Sequence, residues 1–477
     1  MLSRISFILD GNVVEIDMNT GRYSPTTTVF QYLRTLPHHH GTKEGCAEGD
    51  CGACTVVLGE RDDSGAMHYR SVDSCLVFLP MIHGKQLITV ENLVNEHGEL
   101  HPVQRAMVET GGSQCGYCTP GFIMSLFSLY KEKTSLSRCH IDDALTGNLC
   151  RCTGYKPIVE AASRSCVIGA LDDFSKNERH LSKLVSSIPQ ESIVLENSTQ
   201  RYYRPLSLGE AITLKHRLPK ALIVSGATDV ALRITKQHEL LPEIIDLSGV
   251  KELQTFEETN DSFIIGSGLS LNELMQKIQN KLPALYEMLN VFGSRQIRNV
   301  ATLGGNLGTA SPIGDTLPVL MAYDARVVLE GLNGRREIAA NDYFTGYRQT
   351  VRKPDEIITS VVISRPATAV RVKAYKVSKR KDLDISSLSG GFSLELDNAR
   401  TVTSILLAYG GMAERPKRAF TTERFLTGKK WERSVIEEAM TLIGKEFSPL
   451  TDVRASSEFR MAAAKNLLLK FWSETHD

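Results

Sequence analysis

The sequence predicts an α+β chain of several domains, and three observations carry that reading: two sets of four cysteines, a hairpin pattern at the N-terminus, and a change of hydrophobic pattern beyond about residue 200. With 477 residues there is material for about three domains. The 55 basic and 55 acidic residues cancel, which removes any global electrostatic argument for nucleic acid or an anionic membrane as partner. No apolar run reaches the ~20 residues of a spanning helix and the N-terminus does not read as a signal peptide, so a cytoplasmic chain is expected. Ten cysteines in such a chain argue for metal ligation and against a disulfide framework.

Residues 5–9 and 13–16 are apolar runs flanking Asp10-Gly11, the pattern of a hairpin with a primed turn. Thr26 or Thr27 is expected to cap a helix over 29–33, and strands at 55–58 and near 87–90 complete a small ferredoxin-like sheet. Within this stretch Cys46, Cys51 and Cys54 follow C-x4-C-x2-C, with Cys75 as a fourth thiol, which is the plant-type spacing of a [2Fe-2S] cluster. An anionic cluster needs a tight loop with inward N–H groups, and Gly45, Gly49 and Gly52 permit one. A structural zinc ion would more usually take C-x2-C pairs on short knuckles. His38, His39 and His40 read as a solvated loop.

From His101 to about Cys166 the pattern is helical and short-looped, and it contains Cys115, Cys118, Cys150 and Cys152 in the order C-x2-C…C-x-C. This spacing alone is less specific, since C-x2-C also serves zinc ribbons and redox disulfides. Context favours a cluster: Pro120 and Pro157 each open an apolar helical run, so both cysteine pairs precede helix starts, whose positive dipole end suits an anion. Cys139 and Cys166 fit neither set and read as ordinary thiols. Residues 171–201 lack sustained apolar periodicity and read as a linker.

Beyond it, Ala221 to Ser225 reads as a buried strand, and Gly226 to Asp229 turns it into a helix whose free N–H groups suit a phosphate. A dinucleotide fingerprint is rejected, because Gly266-Ser267-Gly268 lacks the third glycine. The stronger signal is the small-residue run 295–315. Its Gly304-Gly305-Asn306 is expected as a turn between apolar strands that lets backbone approach a bulky ligand, with Thr309, Ser311 and Asp315 offering polar contacts to sugar or phosphate. The charged stretch 375–385 reads equally well as an exposed turn.

Residues 42–54, 114–121 and 147–155 resemble the iron–sulfur part of the xanthine dehydrogenase family of molybdenum hydroxylases, and 295–315 resembles the flavin domain of the same family. The resemblance implies two [2Fe-2S] clusters, one on Cys46, Cys51, Cys54 and Cys75, the other on Cys115, Cys118, Cys150 and Cys152 and nearer the molybdenum site. For FAD it implies Ile223, Val224, Ser225, Gly226, Ala227, Thr228, Asp229 and Val230 on the diphosphate and adenosine side, with Phe292, Thr302, Leu303, Gly304, Gly305, Asn306, Asp315, Ile358 and Lys376 contributing the other contacts. Residues 375–385 resemble the loop beside the flavin ring that governs access of the final acceptor. Lys156, Ala227, Gly314 and Leu383 depart from the commoner family residues.

The fold this implies is a ferredoxin-like β-grasp [2Fe-2S] domain over 1–90, a helical [2Fe-2S] bundle over 91–170, the linker 171–200, a vanillyl-alcohol-oxidase-like FAD domain over 201–365 and a C-terminal α+β flavoprotein domain over 366–477. The function it implies is the small, iron–sulfur and flavin subunit of an NAD-dependent oxidoreductase. Electrons from a molybdopterin centre on a large partner subunit would pass through both clusters to FAD and on to NAD, in oxidation of hypoxanthine or xanthine to urate. No catalytic residue is expected on this chain, and a heterotetramer of two small and two large subunits is implied. Rival readings are the electron-transfer subunit of an aldehyde or N-heterocycle dehydrogenase, and a zinc-binding interaction protein.

Overall fold

Period-two alternation places the first sheet between two cores. In the computed structural model, which describes residues 2–132, 136–166 and 171–476, its strands run in the order Asn12–Asp17, Arg4–Leu9, Gln86–Ile88, Thr55–Arg61 and Met67–Asp73. Ile5, Phe7, Val56, Leu58 and Leu87 face one core, while their neighbours Ile8, Val57 and Ile88 face the other, which is filled by Phe122, Leu126 and Phe127 of the helix Thr119–Lys131. The inner strands of the sheet are thus buried on both faces, while the edge strand Asn12–Asp17 is mostly exposed. Asp10 and Gly11 have φ of 52° and 71°, the left-handed pair a primed hairpin turn requires.

Two local expectations change here. The helix Val29–Arg34 is capped by Thr28, in a reciprocal capping box with Gln31, and not by Thr26 or Thr27; the Thr27 hydroxyl is already taken by the Ser24 N–H. His38 and His40 are exposed as a solvated loop would have them, but His39 is buried, its ring nitrogens each 3.0 Å from Thr89 Oγ1 and Asp10 Oδ2.

The stretch expected as a linker holds the helices Asp173–Lys176 and Glu178–Ser187 and the strand Ile193–Glu196. Leu181, Val185 and Ile188 are all buried, a spacing of i, i+4, i+7 too short to register as sustained periodicity among so many serines and lysines. Asp172 caps the first of these helices and bonds Lys131 Nζ at 2.8 Å and His101 Nε2 at 3.1 Å, all three side chains buried. Burial opposes its charge, yet the His101 and Lys131 bonds hold the Asp172 carboxyl below the usual range.

The described chain divides into two units, the first comprising 1–207, 220–249 and 293–301, the second the remainder. The first unit also contains a sheet ordered Ile193–Glu196, Arg201–Arg204, Glu243–Asp246 and Leu222–Val224, its last two pairings parallel. The second unit has an antiparallel sheet, Phe256–Glu258, Ser262–Gly266, Ile357–Ser364, Arg326–Gly331 and Gly334–Ala339, and another built on Arg371–Val377, Leu388–Leu396 and Val402–Gly410. Helices Arg433–Glu446 and Ser457–Thr475 cover the latter over a core of Phe392, Tyr409, Trp431 and Phe471. No helix among the described residues is long and apolar enough to cross a membrane.

Candidate functional site

The eight cysteines predicted as ligands gather in the two expected sets, and within each set the sulfurs meet two by two. In the first, Cys54 Sγ lies 3.3 Å from Cys75 Sγ, and Cys46 and Cys51 share a hydrogen bond. The Cys51 thiol, joined by the Glu48 and Asp50 N–H groups that approach at 3.5 and 3.3 Å, holds the Cys46 thiol down to about 6. Giving that bond pushes Cys51 up, and the Cys75 contact together with burial pushes Cys54 up. In the second set the shared bonds join Cys118 with Cys150 and Cys115 with Cys152. Desolvation, then Cys150, raises Cys118 to about 12; against desolvation, the Thr153 hydroxyl and N–H hold Cys150 below the usual thiol range.

Bare thiols that share protons at this range stand where thiolates sharing a cation would stand. Among the described residues no three metal-ligating side chains converge on one ion position. Paired sulfurs suit a two-iron cluster, each iron taking two thiolates, so both sets fit the group. Cys118 is the N-cap of Thr119–Lys131, and Cys150 and Cys152 precede Lys156–Ser165 along the chain, so each C-x2-C or C-x-C run leads toward a helix start as expected. Cys54, Cys75 and Cys150 are buried, whereas Cys115 and Cys152 are exposed, as are Tyr117 and Tyr155. Gln114 is exposed on the same loop. Cys139 and Cys166 join neither set; Cys166 Sγ bonds the Leu126 carbonyl instead.

Sequence reasoning missed the buried polar residues around the first cluster loop. Asp73 accepts from Cys54 Sγ at 3.8 Å, and burial pushes its carboxyl well above the usual range. Nothing marks it in the sequence except its place two residues before Cys75.

The residues predicted to hold FAD fall in both units. In the first, Ile223 to Val230 end the strand Leu222–Val224 and lead into the helix Ala231–Thr235. Gly226 lies against Val300, where a Cβ would come within 1.8 Å of its carbonyl oxygen, so only glycine fits. Leu222 and Ile223 are half-buried, less enclosed than the expected buried strand.

In the second unit the run expected as a turn between strands is helical: Leu303–Thr309 begins at Thr302, whose Oγ1 accepts the Gly305 N–H at 3.0 Å, and Thr316–Ala322 follows. Glycine disfavours helix, and tertiary packing overrides that preference here. A Cβ on Gly304 would meet Ser267 Cβ at 2.5 Å and its carbonyl oxygen at 2.7 Å, and Gly304 N–H donates to that carbonyl. Lys376 Nζ donates to the Val291 carbonyl, beside Phe292, and to Asp315 Oδ2; Asn306 Oδ1 accepts from Thr316 Oγ1 at 2.6 Å; Ile358 packs near Gly308. The second-unit residues predicted for FAD are therefore brought together. In the charged loop Arg380 pairs with Asp384, and Leu383 adopts φ of 71°.

Three family models match successive parts of the chain: a [2Fe-2S] binding domain over 89–163, the FAD binding domain in molybdopterin dehydrogenase over 197–366, and the CO dehydrogenase flavoprotein C-terminal domain over 373–475. The chain therefore carries the iron–sulfur and flavin region of the molybdenum hydroxylase family. Among curated proteins it is similar to the xanthine dehydrogenase/oxidase of Gallus gallus, 31% identical over 98% of this chain and 40% of that protein. Xanthine dehydrogenase 1 of Arabidopsis thaliana is 33% identical over 93% of this chain and 38% of its own length. The chain thus spans about two fifths of the curated relatives it matches. Among solved structures it resembles a carbon monoxide dehydrogenase chain from Hydrogenophaga pseudoflava, with 25% identity, TM-score 0.54, and coverage of 56% of this chain and 94% of that one. Quinoline 2-oxidoreductase from Pseudomonas putida 86 shares the fold at 23% identity and TM-score 0.53, over 57% of this chain and 95% of that one.

Proposed function

We propose that this chain is the electron-transfer subunit of a xanthine dehydrogenase, taking electrons from a molybdenum-bearing partner subunit and delivering them to NAD. The observation that carries this is continuity: cluster and flavin regions follow one another on one chain in the order in which xanthine dehydrogenases match over more than nine tenths of it. When bound, two [2Fe-2S] clusters supply one-electron exchange and FAD supplies two-electron exchange. Cys46, Cys51, Cys54 and Cys75 would hold one cluster, and Cys115, Cys118, Cys150 and Cys152 the other. The hydrogen bonds that lower Cys46 favour its thiolate, the form that ligates. Residues 223–230 and 302–306, with Phe292, Asp315, Ile358 and Lys376, would hold FAD.

The exposed face around Gln114, Cys115 and Cys152 is where the partner would dock, as a surface that keeps two ligands near solvent would allow. The purified chain alone should reduce an artificial dye with NADH and should not oxidise xanthine until the molybdenum subunit is added. Gln114→Ala should slow electron entry from xanthine and leave the dye reaction unchanged. Xanthine turnover by the isolated chain would refute the division, and a holoenzyme that oxidises an aldehyde or an N-heterocycle but not xanthine would replace the substrate reading.

A further inference from the structure

We propose that Asn148, held by Gln296, is a positioning residue that fixes the two cysteine loops against each other and so sets the magnetic and electronic coupling between the two clusters. The proposal rests on the two-cluster reading above. Asn148 is buried and uses both ends of its amide. Its Nδ2 donates to the Gly52 carbonyl at 3.2 Å and to Thr55 Oγ1 at 3.3 Å, inside and just after the first cysteine loop. Its Oδ1 accepts from Ser125 Oγ at 2.6 Å, on the helix that follows Cys118, and from Gln296 Nε2 at 2.9 Å. Asn148 itself stands two residues before Cys150, so one side chain joins both loops, the helix between them and the segment 293–301.

The backbone closes the same junction. Leu149 N–H donates to the Cys51 carbonyl at 3.1 Å, a direct bond between residues on or beside a ligand of each set. Neither Gly52 nor Gly147 leaves room for a side chain of its own: a Cβ on Gly52 would meet the Gly147 carbonyl at 2.4 Å, and one on Gly147 would meet Gln296 Oε1 at 2.2 Å. Gln296 is fully buried and also donates to Ser125 Oγ at 2.8 Å, so it braces Asn148 from behind. The Asn148 amide, with its donor and acceptor arms both committed, holds one geometry, because any shift leaves a polar group unpaired at a cost of about 1–3 kcal/mol.

The test uses the full chain purified with its iron. Iron and sulfide counts report cluster content, and low-temperature electron paramagnetic resonance of the dithionite-reduced protein reads the splitting between the two reduced clusters. Asn148→Asp keeps the acceptor arm toward Ser125 and Gln296 but sets a carboxylate oxygen against the Gly52 carbonyl. It should retain wild-type iron and show a reduced splitting. Gln296→Leu, outside both cysteine loops, should change the splitting in the same direction, and it decides the matter if Asn148→Asp takes up no iron. Asn299→Ala loosens the same segment at the Ser71 carbonyl, on the strand Met67–Asp73 and not at the Asn148 junction, and should leave the splitting as in wild type. Full iron with unaltered splitting in Gln296→Leu, or equal loss of splitting in Asn299→Ala, overturns the proposal. Loss of iron in both junction variants overturns it too, since the junction would then only hold the fold. A wild-type chain with one cluster overturns the two-cluster reading instead.

Discussion

Lys376 Nζ and Asp315 Oδ2 form a buried ion pair at 2.9 Å, with both side chains more than nine-tenths shielded from solvent. Ser386 Oγ donates to the other Asp315 oxygen at 2.6 Å, and the Val291 carbonyl takes a second Lys376 proton, so the pair is well satisfied. Two residues proposed above for FAD thus also brace each other. Removing one partner strands a charge, whereas removing both strands none.

Lys376→Met or Asp315→Leu alone should destabilise the second unit by about 3 kcal/mol, and the double variant should recover part of that loss. Both tryptophans, Trp431 and Trp472, belong to that unit, so urea unfolding followed by their emission reports it selectively. Additive losses in the double variant would show that the pair is not coupled.

Cys51→Ser should remove one iron–sulfur signal and Cys118→Ser the other, each lowering the content from about four irons to about two. The sulfurs pair as Cys46 with Cys51 and Cys118 with Cys150, so each change breaks one pair of one set. A two-signal spectrum in either variant would reassign the ligands.

A valine at Gly305 should release FAD while the second unit stays folded. A Cβ there meets only Thr302 Oγ1, at 3.0 Å, so the chain itself leaves room on that side. Gly304→Ala should instead unseat the helix Leu303–Thr309 from Ser267 and lower the unfolding midpoint as well as the flavin content. Flavin absorbance per chain, read beside tryptophan emission, separates the two outcomes.

His83 gives a pH dependence with a definite sign. Its Nδ1 accepts the Ser6 N–H and its Nε2 donates to the Pro189 carbonyl, and burial, the main cause, holds its pKa below the ordinary value of about 6.5. The unfolded chain therefore binds a proton that the folded chain refuses. Stability from this neutral ring is present above about pH 6.5 and is lost as pH falls below it. His83→Asn should be less stable than wild type at pH 8 and should lose less on acidification to pH 5, as thermal unfolding by circular dichroism would show. Parallel losses in both proteins would remove His83 from the account.

Cysteine spacing and the hairpin turn were legible from local chemistry alone. The C-x4-C-x2-C run and its glycines describe a loop, and the Asp10-Gly11 turn requires two left-handed residues whatever surrounds it. Short-range patterns failed where the partner lies far along the chain. The helix at 178–187 has one narrow apolar stripe that gains meaning only against a core supplied by other segments. The glycine-rich run at 303–309 is helical because Thr302 caps it and Ser267 packs against Gly304.

The sequence by itself determined which eight sulfurs belong together and in which order the modules follow. Only the tertiary structure decided how those sulfurs pair and that Asn148 and Gln296, 148 residues apart, meet at a junction between the two cysteine loops. The reason is physical: ligand identity and turn geometry are written into a few neighbouring residues, whereas the partner of a buried amide is chosen by whatever packing brings an unpaired donor and acceptor together out of water.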